Sequence, residues 1–179
     1  MEGKIKISRI KTPIGEMVAG ATRNGICLLE FADRENISSI FEEIEKTFGA
    51  KTKPGINLHL WILKKQLKEY FSGKRKVFTV KLVTPGTGFQ QAVWEQLRSI
   101  PFGDTVSYQQ QAELLKNTGA SRAVAQANAS NRIAIVIPCH RVIGSDGALV
   151  GYGGGLARKK WLIDHERKLS GKAVELDLF

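Results

Sequence analysis

A cluster of structure-breaking residues near the middle of the chain constrains its fold more than any other feature. Pro85, Gly86 and Gly88 lie within four consecutive positions, and such clusters interrupt helices and strands alike. Strand and helix patterns alternate before the cluster and helical patterns dominate after it, so we predict two domains, residues 1–86 and 87–179. The chain has 179 residues, of which 42% are hydrophobic, and this is enough apolar material for a core in each domain.

The first half has the pattern of a small α/β domain. Alternating apolar and polar residues predict strands, apolar residues at helical spacing predict helices, and Asn24-Gly25 is a strong hairpin signal. The predicted elements are strands 4–11, 16–22 and 26–31, helices 37–48 and 58–71, and a last strand through Phe78, Val80 and Leu82. Cys27 lies on the third strand, where we interpret it as a small core residue.

Helical patterns dominate the second half. One apolar face is formed by Phe89, Val93, Leu97 and Ile100. Ser107 and Gln110 have the spacing of a capping box and predict a helix over 108–115, and Ser121 is positioned to cap a second helix over 122–130. Two short helices joined by a Gly-containing turn indicate a helix-turn-helix, and an ordinary helical hairpin has the same pattern.

The segment Ile137-Pro138-Cys139-His140-Arg141 has the composition of a reactive thiol site. A free thiol has a pKa near ~8.5, and positive charge beside it raises the share of nucleophilic thiolate at neutral pH. The apolar run 133–137 predicts a buried strand that Pro138 ends, so we expect Cys139 where a strand becomes a loop. Rigid scaffolds present reactive groups at such positions. The alternative interpretation of Cys139 is a small buried hydrophobic residue.

The charge of the chain narrows its choice of partner. Lysine and arginine outnumber aspartate and glutamate by 27 to 17, and this surplus of 10 favours polyanions such as nucleic acid. Residues 1–87 contain 16 of the basic and 9 of the acidic side chains, so most of the surplus lies outside the half that contains Cys139. Net charge alone would therefore not account for DNA binding near Cys139, and specifically placed contacts must supply part of the affinity.

Several other classes of protein are disfavoured. No apolar stretch approaches the ~20 residues that cross a bilayer, and the N-terminus lacks the apolar segment of a secretory signal. We therefore expect no membrane partner and a cytoplasmic location, or a nuclear one if the source is eukaryotic. The 2 cysteines and 3 histidines have no metal-ligand spacing, and the glycines of 151–155 do not fit a phosphate-binding loop. The sequence predicts neither a metal nor a cofactor.

Taken with these patterns, the residues resemble one known family. Ile-Pro-Cys-His-Arg-Val-Ile at 137–143 is similar to the active-site signature of the O6-alkylguanine-DNA alkyltransferases, the methylated-DNA–protein-cysteine methyltransferases of direct DNA repair. Supporting matches lie at 89–94, 100–103, 106–108, 121–124, 151–156 and 161–166, and Thr12-Pro13-Ile14-Gly15 agrees in the first half. The resemblance implies an α/β protein with a small ribonuclease-H-like α/β N-terminal domain and a mainly helical C-terminal domain that contains a helix-turn-helix.

The resemblance also implies catalytic roles for four residues. Cys139 would accept the alkyl group, and His140 would act as a base on the thiol through a water molecule. Glu166 would orient His140, and Tyr108 would donate a proton toward N3 of the departing guanine. Attack on a saturated carbon suits cysteine, because it is a soft nucleophile that is partly ionised near neutrality.

For DNA, the resemblance implies binding in the minor groove of the double helix by the second, alanine-rich helix of the pair. Arg122 would fill the space that an extruded nucleotide leaves behind. The implied DNA-binding residues are Arg122, Ala123, Ala127, Asn128, Asn131 and Arg141, and the implied base pocket comprises Val142, Tyr152, Gly153 and Gly154. Relatives commonly have Pro after the hinge Asn, whereas Arg132 follows Asn131 here.

The expected activity is the irreversible transfer of an alkyl group from O6-alkylguanine in DNA, and more weakly from O4-alkylthymine, to Cys139. Each molecule would act once, as a monomer, because a thioether has no good leaving group. One alternative is a non-catalytic module that binds alkylated DNA and marks it for other repair factors. Another is a Cys-His hydrolase, which would require an oxyanion hole and catalytic turnover.

Overall fold

The computed structural model describes residues 4–173 as a mixed α/β protein. The chain divides into two compact units, Met1–Pro85 and Gly86–Phe179, so the division falls one residue before the boundary that the breaker cluster predicts. Among residues 4–173, no helix combines the length and the apolarity that crossing a bilayer requires.

The first unit is built on a four-stranded sheet. Its strands are β1 (Lys4–Thr12), β2 (Gly15–Ala21), β3 (Ile26–Phe31) and β4 (Lys51–Pro54), in the order β3-β2-β1-β4. The first three are antiparallel neighbours, as the sequence predicts, whereas β4 lies parallel to β1. β4 consists of Lys-Thr-Lys-Pro, and this edge strand has no alternation of apolar residues that could have predicted it.

Two helices complete the first unit within their predicted limits. Helix α1 (Ile37–Phe48) buries Ile40 and Ile44, and it ends where Gly49 adopts the left-handed conformation with φ 56°. Helix α2 (Leu58–Phe71) begins at Asn57, whose side chain accepts a hydrogen bond from the amide of Leu60. Cys27 lies in β3 with 2% of its surface exposed, which confirms that it is a core residue.

The predicted strand through Phe78, Val80 and Leu82 is wrong. The segment makes only an isolated bridge between Leu82 and Ile26. The reason is a buried side chain of α2, because Oε1 of Gln66 accepts hydrogen bonds from the amides of Thr79 at 3.0 Å and Val80 at 3.3 Å. These amides bond to a side chain, so they do not take part in a strand ladder.

The second unit is mainly helical. Its elements are α3 (Gly88–Ser99), β5 (Val106–Ser107), α4 (Tyr108–Leu114), α5 (Ser121–Ala129), a 3-10 turn (Cys139–Arg141), β6 (Val142–Ile143) and α6 (Leu156–Leu169). The capping box of Ser107 and Gln110 at the start of α4 is confirmed. The predicted cap of α5 is wrong, because Ser121 is its first helical residue and Ala120 precedes it without a side-chain cap bond.

Helices α3, α4 and α5 pack around buried polar contacts. The Nε1 group of Trp94 donates a hydrogen bond of 2.9 Å to the carbonyl of Ala127, and Nδ2 of Asn128 donates one of 2.8 Å to Oε1 of Gln111. Phe89 departs from the predicted apolar face, since it is 37% exposed while Trp94 is 7% exposed. These bonds fix the inward face of α5 and leave its opposite face on the surface.

The buried strand predicted at 133–137 is also wrong. The segment is buried as expected, but it forms turns, with a hydrogen bond of 3.0 Å from the amide of Ile137 to the carbonyl of Ile133. A short apolar run has the same hydrophobicity in a buried turn as in a buried strand, so its composition does not separate the two.

Candidate active site

Cys139 begins the 3-10 turn Cys139–Arg141, and Pro138 determines the direction in which the chain enters it. Pro138 has φ −84° and ψ 63°, and the amide of Cys139 donates a hydrogen bond of 2.8 Å to the carbonyl of Ile137. This is an inverse γ-turn, a common conformation at the start of a loop. The Cys139 side chain is thereby placed at a partly exposed position, neither enclosed in the core nor fully in solvent.

The side chain of Asn131 organises the turns before Cys139 and also contacts its sulfur. Oδ1 of Asn131 accepts a hydrogen bond of 2.9 Å from the amide of Ile133, which assigns the other terminal atom as the donor. Nδ2 then donates to the carbonyl of Ile137 at 2.9 Å and to Sγ of Cys139 at 3.3 Å. A donor at this position stabilises a thiolate at Cys139 more than a thiol.

One residue of these turns is in a strained conformation. Ile135 has φ 70°, and the amide of Val136 bonds to the carbonyl of Ala134 at 2.8 Å across it. This is the rarer form of γ-turn, and a positive φ is unfavourable for a β-branched residue. Ile135 is 1% exposed, so surrounding packing holds the strained backbone four residues before the thiol.

His140 and Glu166 form a buried pair beside Cys139. Nε2 of His140 lies 2.8 Å from Oε1 of Glu166, and both side chains are almost fully buried. Because a carboxylate only accepts, Nε2 carries the proton and Nδ1 has its lone pair free to accept one. Burial lowers the pKa of His140 although Glu166 opposes the shift, so the ring is neutral at pH 7.

Arg141 completes the network around Glu166. Its Nε donates to Oε2 at 2.8 Å and its Nη2 to Oε1 at 3.0 Å, while Nη1 donates to the carbonyl of Ile100 at 2.6 Å. The amide of Gly103 donates a further bond of 3.1 Å to Oε2 of Glu166. Burial favours the protonated acid, but His140 and Arg141 outweigh it and hold the pKa of Glu166 well below its usual range.

Lys159 is a component of the site that the sequence did not point to. It is fully buried, and its Nζ donates hydrogen bonds to the carbonyls of Val150 at 2.6 Å and Gly151 at 3.2 Å. Burial lowers its pKa to about 8, partly offset by the charge of the Cys139 thiolate. Lys159 lies seven residues before Glu166 on α6, and two helical turns place both on one face. The sequence signal that could have indicated Lys159 is this i, i+7 spacing from Glu166.

Tyr108 lies at the first position of α4 and within electrostatic range of Cys139. Burial raises the pKa of its phenol, and a thiolate at Cys139 raises it further, so the phenol keeps its proton at neutral pH. Its hydroxyl donates a long hydrogen bond of 3.4 Å to the carbonyl of Val150. A Cβ at Gly151 would lie 3.3 Å from this hydroxyl, and Gly151 has φ 55°, so glycine suits this close approach.

The predicted base-pocket residues lie on β6 and on the loop before α6. Val142 is fully buried and pairs with Val106 in the parallel pair of β5 and β6. Tyr152 is half-buried and accepts a backbone bond of 3.0 Å from the amide of Gly155. Gly153 is exposed and Gly154 half-buried, and the carbonyl of Gly154 accepts a bond of 3.2 Å from Arg158.

The structure divides the predicted DNA-binding residues into two groups. Arg122 and Ala123 are exposed on α5. Ala127 is 3% exposed and Asn128 6%, and both pack against the neighbouring helices rather than lying on the exposed face of α5. Arg141 is 7% exposed and its guanidinium binds Glu166. For these three residues, contact with DNA stays a prediction. Asn131 is 4% exposed and bonds to Sγ of Cys139 rather than facing a partner.

The arrangement has the parts of an activated nucleophile. A partly exposed sulfur receives a hydrogen bond from Asn131, and the next residue, His140, is a neutral imidazole bonded to Glu166. Within 4–173, no cluster of three or more potential metal-binding side chains is present. The chemistry that the contact between Asn131 and Cys139 supports is nucleophilic attack by sulfur.

Comparison with known proteins places this site in a family. The family model described as 6-O-methylguanine DNA methyltransferase, DNA binding domain, matches residues 88–168, which include all four predicted catalytic residues. The methylated-DNA–protein-cysteine methyltransferase of Shigella flexneri is 51% identical over 105 residues, covering 58% of this chain and 61% of that protein. The protein of the same name from Mycobacterium bovis is 49% identical over 114 residues, covering 64% and 68%.

Solved structures extend the similarity to nearly the whole chain. The crystal structure of Mycobacterium tuberculosis O6-methylguanine methyltransferase is 37% identical with a TM-score of 0.78, covering 92% of this chain and 93% of that one. The structure of Mycobacterium tuberculosis OGT in complex with DNA is 36% identical with a TM-score of 0.77, covering 93% and 94%. The chain belongs to the methylated-DNA–protein-cysteine methyltransferase family.

Proposed function

We propose that the protein repairs DNA by transferring an alkyl group from O6 of alkylguanine to Cys139, and more weakly from O4 of alkylthymine. The observation that carries the proposal is the contact of 3.3 Å between Nδ2 of Asn131 and Sγ of Cys139, beside the His140–Glu166 pair. The names of the similar proteins agree with this activity.

The transfer is a displacement at a saturated carbon. The Cys139 sulfur attacks the alkyl carbon as a thiolate, an S–C bond forms, and the bond between that carbon and O6 breaks. The electron pair of the broken bond stays with guanine, which gains one proton and becomes the normal base. Sulfur becomes a neutral thioether and the reaction needs no oxidant, reductant or cofactor.

The proton of the thiol goes to His140. Because Nε2 donates to Glu166, Nδ1 accepts the proton through a water molecule, and the imidazolium that results is stabilised by the carboxylate at 2.8 Å. Arg141 balances the charge of Glu166 before the transfer, and this keeps His140 neutral and able to act as a base. The ammonium of Lys159 favours the thiolate by the same electrostatic attraction that acts on its own pKa.

Tyr108 supplies the proton for the departing base. Its phenol is protonated at neutral pH, because burial and the Cys139 thiolate both raise its pKa. Donation toward N3 of guanine neutralises the charge that develops as the C–O bond breaks. Once the thiolate has become a thioether, the charge that opposed ionisation of Tyr108 is gone.

We infer that DNA binds through α4 and α5 as a helix-turn-helix, with α5 in the minor groove. The exposed face of α5 carries Arg122 and Ala123, and small residues on that face permit close approach of the helix to the groove. The lesion would be extruded from the duplex and Arg122 would occupy its place. The similar Mycobacterium tuberculosis OGT has been solved in complex with DNA.

Three further features belong to the same proposal. Strand order β3-β2-β1-β4, with β4 parallel to β1, supports a ribonuclease-H-like fold for the first unit. We place the protein in the cytoplasm, where its substrate would be DNA, and expect it to act as a monomer. The base pocket would be formed by the backbone of Cys139, Val142 and Gly153, with Tyr152 and Gly154 beside it.

The test is a stoichiometric reaction with a duplex oligonucleotide that contains one O6-methylguanine. Peptide mass spectrometry should find one added methyl group on Cys139 and none on Cys27, and excess DNA should yield one transfer per protein. Cys139→Ala should bind the duplex and transfer nothing, while Cys27→Ala should transfer normally. Binding without any methylation of the unaltered protein would instead establish the damage-marking alternative, and repeated turnover would contradict the proposal.

A further inference from the structure

A groove in the first unit contains none of the residues that the proposed alkyl transfer uses. It has a volume of about 460 Å³ and lies between the end of the β1–β2 hairpin and the last turns of α2. Its apolar floor includes Ile10 and Leu67, which are 4% and 1% exposed, together with the half-buried Phe71. This volume is within the range of about 300–1,000 Å³ that binding pockets occupy.

Three exposed lysines, Lys11, Lys64 and Lys68, line the same groove. The carboxylates nearest to them along the chain are already engaged. Glu16 bonds to Arg9 at 2.5 Å, and Glu69 bonds to Arg75 at 2.6 Å. Over the described range 4–173, no ion pair involves these three lysines, so the groove has a concentrated positive charge above an apolar floor.

The remaining polar side chains of the groove already donate their hydroxyl protons within the protein. The hydroxyl of Thr12 donates to the carbonyl of Gly15 at 2.6 Å, and that of Ser72 donates to the carbonyl of Glu69 at 3.1 Å. Sites for small molecules fix their ligands with a few precisely oriented polar groups. Here the free polar groups are ammonium ions on long, mobile side chains, which suit several carboxylates spread along a chain.

We propose that this groove binds an acidic peptide segment of a partner protein, with one large apolar side chain inserted between flanking carboxylates. The apolar side chain would cover Ile10, Leu67 and Phe71. The carboxylates would pair with Lys11, Lys64 and Lys68, and these contacts would steer the segment into the groove. A nucleic acid would pair with the lysines and leave the apolar floor uncovered. A contribution of the floor to binding therefore distinguishes a peptide from a nucleic acid.

The test uses the full chain and a fluorescein-labelled peptide, Gly-Asp-Asp-Phe-Asp-Asp-Gly, followed by fluorescence anisotropy. The double variant Lys64→Glu with Lys68→Glu should weaken binding by about tenfold or more, since it reverses two attractive charges. Residues 64 and 68 lie at i, i+4 and have like charges both before and after the substitution, so the stability of α2 should hardly change. The matched control is Lys74→Glu with Lys81→Glu, two exposed lysines outside the groove, which should bind nearly as the unaltered protein does.

The peptide itself separates the apolar contact from charge alone. Replacing its Phe with Ala should weaken binding by about fivefold or more, because the apolar floor then stays in water. Equal binding of the Ala peptide, equal loss in the control variant, or no binding of the Phe peptide would overturn the proposal. Loss of duplex DNA binding in the groove variant, with no loss in the control, would assign the groove to nucleic acid and also overturn it.

Discussion

The two cysteines of this chain show how surroundings decide the chemistry of one side chain. Cys27 lies within β3 and is 2% exposed, and burial raises the pKa of its thiol to about 12 although backbone contacts at Thr22 and Cys27 oppose the shift. Cys139 lies at the start of a turn and is partly exposed, with an amide donor at 3.3 Å and a lysine within electrostatic range. The first is a packing residue, and the second has the surroundings of a nucleophile.

The difference follows from backbone position. In β3, Cys27 packs among apolar side chains, and the backbone contacts at Thr22 and Cys27 do not offset the effect of its burial. The turns before Cys139 free the side chain of Asn131 to bond both backbone and sulfur. The irregular segment before Cys139 therefore directs a side-chain donor at the sulfur, which the strand around Cys27 does not.

The largest expected effect is in reactivity toward a simple alkylating reagent. With iodoacetamide at pH 7, Cys139 should react at least ~1,000-fold faster than Cys27, because a thiol with a pKa of about 12 has a very small thiolate fraction. Mass spectrometry of the two cysteine peptides over time measures both rates. Cys27→Ser should leave the fast rate unchanged, and comparable labelling of both cysteines would refute the contrast.

A second prediction concerns a variant in which the Nδ2 donor of Asn131 near Cys139 is replaced by an acceptor. Asn131→Asp keeps the bond from the amide of Ile133, loses both bonds from Nδ2 and places a negative charge near the thiolate. Alkyl transfer should fall by about 100-fold in single-turnover assays. The matched control is Asn128→Asp, the other buried asparagine, which should lower stability while leaving the iodoacetamide rate of Cys139 within about twofold. A similar loss in both variants would mean that Asn131 acts only through stability.

A third prediction concerns the charge of Lys159, which lies near Cys139 and has no counterpart near Cys27. Lys159→Met should lower the transfer rate at pH 7 by about tenfold, since the thiolate loses one favourable charge. Lys160→Met is the control, because Lys160 bonds to Asp164 at 2.8 Å on the same helix, and its rate should stay normal. An unchanged rate in Lys159→Met would limit Lys159 to a structural role.

Lys159→Met should also change stability in a direction set by the pKa shift. A folded-state pKa of about 8 means that, between pH 8 and 10.5, the unfolded chain binds a proton that the folded chain does not, so stability rises with pH there. The variant should lack this rise. Urea unfolding at pH 7 and pH 10 measures the rise in both proteins, and an equal rise in Lys159→Met would contradict the assignment.

The parts of the fold that the sequence predicted are those with regular patterns. Three strands, α1, α2 and the capping box of α4 follow apolar spacing and capping residues, and all are present. Strand β4 and the segment around Val80 were not predictable in this way, because one is a polar edge strand and the other bonds to the side chain of Gln66. Contacts with distant residues determine both.

For the site, the sequence pointed to Cys139, His140 and Glu166, and the structure places the last two in direct contact. It did not point to Lys159, since a lone lysine in a helix with several basic residues has the pattern of a solvated face. The resemblance implied a DNA contact for Arg141, and the structure shows that its guanidinium binds Glu166. Charged residues are mostly exposed, so only tertiary packing reveals the exceptions.

The smallest effect concerns the strained turn that the sequence suggested would be a strand. Ile133 and Ile135 are each 1% exposed, but only Ile135 has a positive φ. Replacement by glycine removes a similar side chain at both sites and relieves strain only at 135. Ile135→Gly should therefore destabilise the fold by about 1–2 kcal/mol less than Ile133→Gly in urea unfolding. Because the relaxed turn no longer fixes the sulfur against Asn131, Ile135→Gly should still lose reactivity with iodoacetamide. Equal costs would show that the backbone at Ile135 stores no strain, and the contrast between the two cysteines would then rest on polar groups alone.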